Sequence, residues 1–427
     1  MRVPVPALGA TATAGLAVTA LLLGPPAALA QFFRPWGPEL RVNTYTTGTQ
    51  HHPSVAAYQN DFVVVWESDG QDGDQSGIFA QRYDGFVANM PLGTEFRVNS
   101  YTTGAQRAAS AGSKWGESFV IAWQSDGQDG DLGSIYAQRL SAGGMPLGGE
   151  FRVNSYTTSS QVAPAVGAAS VGSFVVVWAS LGQDGSGYGI FGQRYSSSGA
   201  PLGGEFQVNT YTTGFQGNPV VGMTSEGYFV VAWEGESAGE DGFGIFAQRY
   251  LNEGTPLGGE FRVNDFNTGN QRYPSVASDA GKFVVTWQSE GQDQSGYGIY
   301  ARRFDLGSGV PIGPEFKVNN FTTGSQTHPS VASNLWFNCG ITWSDEVQDP
   351  QGGIFAISPY GCVGGANGHV NTYTTGAQSD PAIAAGGFDY LFVTWTSEQD
   401  SDGSVGVYAQ LLNPGWLPVE LQDFKVE

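Results

Sequence analysis

The stretch from Trp66 to Tyr83 reads WESDGQDGDQSGIFAQRY and places Asp69, Asp72 and Asp74 in the spacing D-x-x-D-x-D. A second copy, starting at Trp123, repeats that spacing with Asp126, Asp129 and Asp131. Later copies keep fewer acids: Asp184, Asp241, Asp293, Asp349, then Asp400 with Asp402. Carboxylates this close, separated by glycines that let the chain curl, can wrap a calcium ion, which takes six to eight oxygens. The pattern lacks the length and terminal glutamate of an EF-hand loop. Aspartate and glycine are also ordinary turn formers. Two expectations stand side by side: calcium in at least one loop, foremost the first two, or a glycine-rich hairpin with solvated aspartates.

A repeat positions these loops. An asparagine in VN-x-aromatic-T-T, or a close variant of it, recurs at Asn43, Asn99, Asn154, Asn209, Asn264, Asn319 and Asn371, with spacings of 56, 55, 55, 55, 55 and 52 residues. The tryptophan that closes FVVVW recurs seven times as well, from Trp66 to Trp395. Each unit carries four strand-like runs, in the first copy PSVAAY, FVVVWES, GIFAQRY and EFRVN. The second run is apolar on both faces, as a strand sandwiched between sheets must be. The fourth alternates, as an outer strand with one buried face does. Seven units of about 55 residues and four antiparallel strands predict an all-β, seven-bladed β-propeller spanning residues 31–416. The chain opens with a fourth-type run, Glu39 to Asn43, and its last unit ends on a third-type run. An N-terminal strand is therefore expected to complete the last blade and remove the free edges. Residues 417–427 form a tail or the start of a linker.

Strand alternation puts the fourth-to-first and second-to-third connections on one face. Those are the loops whose text is copied from unit to unit, whereas the loops on the other face drift. The copied VN-x-aromatic-T-T-G-x-Q text suits a hydrogen-bonded connector. Its aromatic either packs between blades or forms an exposed ring for sugars to stack on. Between the connector glutamine and the strand proline lie two residues that differ in every unit. They include His51 and His52, Arg107, Arg272 and Tyr273, His328, and Asp380. First strands line a propeller channel, so these residues are expected to ring its mouth and to select a ligand. Random drift of exposed tips is the plainer alternative.

The chain has 427 residues with 39 acidic and 18 basic side chains, a net charge of -21. That excludes the basic face a nucleic acid needs and opposes binding to anionic membranes. Residues 1–30 read as a signal peptide. Arg2 is followed by a short apolar run, Leu16 to Gly24, and by Ala28 to Ala30, a small-residue cleavage site. The run is short for a membrane span, and no other segment approaches one. The protein is therefore expected to be secreted or held at the cell surface. Export permits a disulfide between Cys339, which replaces Phe62 of the first unit, and Cys362. Closing that 23-residue separation is worth roughly 3 kcal/mol in the loop-entropy picture.

No nucleophile elbow, zinc motif or phosphate loop is present. The sequence alone therefore points to a non-enzymatic binding or scaffold module with an extracellular glycan or protein as partner. Its oligomeric state is left open. A purely structural envelope component and a carbohydrate-active hydrolase are the alternatives. The repeat text EFxVNxYTTGxQ…FVVxWxSxGQDGxGxGIxAQRY resembles a β-propeller repeat of large secreted bacterial proteins, often found with nonapeptide (RTX-type) calcium-binding export domains. The resemblance covers residues 39–412. It implies an extracellular setting and adds support for calcium, and it transfers no catalytic residue.

Overall fold

A computed structural model describes residues 34–59, 61–85, 90–114, 118–170, 172–237, 242–334, 338–349, 352–357, 367–387, 390–400 and 403–413. The signal-peptide segment 1–30, the tail 417–427, Asp241, Asp402 and Cys362 lie outside the described residues. Every named element is a strand. Seven antiparallel blades follow one another around a β-propeller. The first is built from Gln50–Tyr58, Asp61–Asp69, Ser76–Asp84 and Phe96–Arg97. The innermost strands touch in order around the ring, and the last, Gln378–Ala385, meets the first.

Closure is by the N-terminal strand. Leu40 and Arg41 pair with Ala409 and Tyr408, and Arg34 pairs with Asn413. The core lies between blades. Val63 and Val65 of blade one pack on Ile121 and Trp123 of blade two, while Val64 and Trp66 face Phe392 and Leu411 of blade seven. Both faces of the second strand are thus buried, which is why its text is continuously apolar. All seven repeat tryptophans are fully buried. Cys339, buried at the start of Cys339–Asp345, is disulfide-bonded.

The innermost strand starts three residues earlier than its text suggests, at Gln50 rather than Pro53. Register shifts between His51 and Ser54, so Pro53 sits in a β-bulge where no ladder donor is needed. Equivalent shifts occur in the innermost strands of all seven blades.

Candidate functional site

The copied text forms a clamp. Asn43 Oδ1 accepts the Val407 amide at 2.8 Å, and its Nδ2 donates to Tyr45 O and to Gln50 Oε1. Asn154, Asn319 and Asn371 make the same amide and glutamine bonds. The glutamate of EFRVN binds the preceding connector: Glu95 Oε2 accepts from Thr44 N and Thr44 Oγ1 at 2.6 and 2.9 Å. Its other oxygen accepts from Gln71 of the aspartate loop. Glu39, on the N-terminal strand, holds Thr372 and Gln399 in the same way. Six connector aromatics are half-buried, and the seventh, Tyr373, is exposed.

The aspartates divide their work. Asp72 Oδ2 accepts from Asn99 Nδ2 at 3.0 Å, and its carboxylate lies over Gly77, where an added Cβ would meet it at 2.5 Å. Asp184 and Asp293 lie over Gly189 and Gly298 likewise. Asp74 and Asp131 reach the next connector, accepting the amides of Gly104 and Ser159. Asp129 is buried, and the Asp131 amide donates to it. Asp126 pairs with Arg107. No described loop gathers three carboxylates into one cluster; among the described residues, the one group of three or more metal-ligating side chains is His51, His52 and Glu67. Gly77→Ala is expected to cost about 1–3 kcal/mol through overpacking against Asp72. Gly149→Ala, in open space, should be near neutral, and urea titration of both variants checks the contrast.

The variable pairs sit at the starts of the seven innermost strands, within the bulge. His52, Ala108, Ala163, Asn218, Tyr273, His328 and Asp380 all have φ between 48° and 52°. That left-handed conformation is costly for residues other than glycine. In four blades the preceding blade helps hold it: the His52 amide donates to Thr396 Oγ1 at 3.2 Å. The amides of Ala108 and Tyr273 donate to Glu67 Oε1 and Glu234 Oε2, both at 2.8 Å, and that of His328 donates to Gln288 Oε1 at 3.0 Å.

Glu67 and Glu234 were not singled out from sequence. They follow the repeat tryptophan, where other copies have Gln124, Ala179, Gln288, Ser344 and Thr396. A lone acid against that background is the signal that could have found them. Both are buried, at 6% and 0% exposure. Glu234 Oε1 takes Arg272 Nε and Nη2 at 3.1 and 2.7 Å. The Tyr273 and His328 rings meet at a tilt, centroids 4.7 Å apart, and Arg272 lies over the Phe243 ring.

Across blades seven and one runs an array of acids and imidazoles. His51 Nδ1 and His52 Nδ1 are 2.7 Å apart, and His52 Nδ1 is 3.2 Å from Glu67 Oε1. The far nitrogens face outer carboxylates: His51 Nε2 lies 3.8 Å from Asp69, and His52 Nε2 lies 3.9 Å from Asp380. The hydrogen bond to Glu67 raises the His52 pKa above its usual 6.5, with help from the charges of Asp380 and Asp69 and against the opposing effect of partial burial.

No family model matches the chain, and no curated protein matches it. Solved structures do. A protein of unknown function from Dyadobacter fermentans is similar over 89% of this chain and 99% of its own, at 10% identity and a TM-score of 0.52. A polysaccharide lyase of family PL25, an ulvan lyase bound to a glycan fragment, is similar over 90% and 96%, at 10% identity and a TM-score of 0.52. An α-L-arabinanase from Penicillium chrysogenum gives 14% identity over 89% and 100%, with a TM-score of 0.47. At such identities the likeness is one of fold. It nevertheless corrects the expectation of a non-enzymatic module. That expectation rested on missing motifs, and enzymes acting on glycans carry this fold.

Proposed function

We propose that this propeller is a carbohydrate-active enzyme that hydrolyses a neutral glycan at the mouth formed by the bulge residues. The observation that carries the reading is the Asp69–His51–His52–Asp380 array. Glycoside hydrolysis commonly needs two carboxyl groups flanking the scissile bond, one as acid and one as base or nucleophile. Asp69 and Asp380 are the partly exposed carboxylates of the array, and Glu67 beneath them is committed to the bulge amide of Ala108. The mouth's arginines, Arg107 and Arg272, are each paired with an acid. Neither offers the free cation that a uronate chain would need. A net charge of -21 further opposes a polyanionic substrate. Half-buried connector aromatics on the same face suit sugar stacking. Export through residues 1–30 belongs to the same proposal.

The test is release of reducing ends from a panel of neutral and acidic polysaccharides. Asp380→Asn and Asp69→Asn should each lower kcat by about a hundredfold or more with an unchanged unfolding midpoint. Cleavage confined to uronate polymers, with ultraviolet-absorbing unsaturated ends, would replace hydrolysis by elimination. Cleavage that survives both substitutions would remove the array from the chemistry.

A further inference from the structure

Consecutive residues of a regular strand point to opposite faces, yet His51 and His52 point to one place. The bulge brings this about: with His52 at φ 49°, the two Nδ1 atoms come within 2.7 Å of each other. Glu67 reaches the same point from the neighbouring strand, 3.2 Å from His52 Nδ1 and 4.0 Å from His51 Nδ1. One ring proton cannot serve both the other imidazole and the carboxylate in good geometry. We infer that His51 Nδ1, His52 Nδ1 and the Glu67 carboxylate form a binding site for a first-row divalent cation, zinc foremost.

Two imidazoles and one carboxylate are a donor set that zinc accepts, with a fourth position left for water or substrate. Calcium and magnesium prefer oxygen and avoid this set. The surroundings fit as well. A ligating imidazole is usually oriented by a carboxylate at its other nitrogen. Here Asp69 faces His51 Nε2 and Asp380 faces His52 Nε2. Glu67 is itself held by the Ala108 amide at 2.8 Å. No other blade offers such a pair. The site is distinct from the aspartate loops, where calcium was expected, and it can be read without turnover. Failure of the hydrolase reading would therefore leave it standing, and the reverse holds too.

Protons compete for these ligands. The charged groups facing His52 are Glu67, Asp380 and Asp69. All three favour the imidazolium, which cannot bind a metal. Zinc affinity should therefore fall at acid pH, and zinc binding should release protons.

The experiment is calorimetric titration of the EDTA-stripped and dialysed chain with zinc chloride, with calcium chloride as comparison. One zinc per chain is expected, with a dissociation constant in the micromolar range or below, no competition from calcium, and a thermal midpoint raised by zinc. His51→Ala with His52→Ala should weaken binding at least tenfold. Glu67→Gln keeps an acceptor for the Ala108 amide and should fold normally while binding at least tenfold more weakly. His369→Gln, outside the cluster, should bind as the parent does. The inference is overturned if no stoichiometric zinc binds, or if binding persists undiminished in the folded Glu67→Gln and double-histidine variants.

Discussion

Asn43→Leu is expected to lower the unfolding free energy by about 3 kcal/mol, although leucine keeps the branched outline. Asn43 stands where the N-terminal strand leaves blade seven and the chain enters blade one. Its Oδ1 accepts the buried Val407 amide, and its Nδ2 donates to Gln50, which is fully buried. Leucine orphans both partners, and each buried orphan costs about 1–3 kcal/mol. The ring should therefore open first at its closure. Asn209→Leu is the internal comparison. In that blade Gln216 Oε1 accepts from Trp233 Nε1 instead, so it does not depend on the asparagine. Urea titration followed by tryptophan fluorescence should show a larger loss for Asn43→Leu than for Asn209→Leu. Equal losses would mean that the clamp at the closure has no special weight.

The second large effect is expected at Arg272, beside the buried Glu234. Arg272→Ala removes the cation from Glu234, which is wholly buried and keeps only the Tyr273 amide. Breaking a buried pair by deleting one partner costs about 3–5 kcal/mol. Arg272 is about a third exposed, and water can enter where it stood, so the lower end applies. Glu234→Gln, which keeps an acceptor for both donors, should lose far less. Comparing the two by urea titration separates an uncompensated charge from a lost hydrogen bond. A loss for Arg272→Ala no larger than that for Glu234→Gln would show that Glu234 finds solvent on its own.

Much of this architecture is legible in the text. The doubly apolar FVVVW run dictates a strand buried on both faces, and the fourth-type run at Glu39 to Asn43 dictates N-terminal closure. Both follow from periodicity and count. The variable positions at the start of each innermost strand are legible too, because they stand out against copied neighbours. The bulge is not. A left-handed residue usually announces itself as glycine, and here His52, Tyr273, His328 and Asp380 take that role. Without the bulge, nothing in the text says that His51 and His52 share a face. Nor does spacing distinguish an aspartate that coordinates an ion from one that packs on a glycine, as Asp72 does on Gly77. That difference lies in a strand partner several residues away.

The seven strained tips carry one further consequence. Each takes the same left-handed bend, and the amides of His52, Ala108, Tyr273 and His328 are also held by the neighbouring blade. A tip can be exchanged without renegotiating the packing beneath it. Seven nearly identical units thus present seven differing tips, some of which touch across blades, as Tyr273 touches His328 and His52 approaches Asp380. Copying builds the ring, and divergence confined to single residues gives it an asymmetric interior. The same arrangement makes the mouth a ready frame for grafting new recognition into an otherwise unaltered chain.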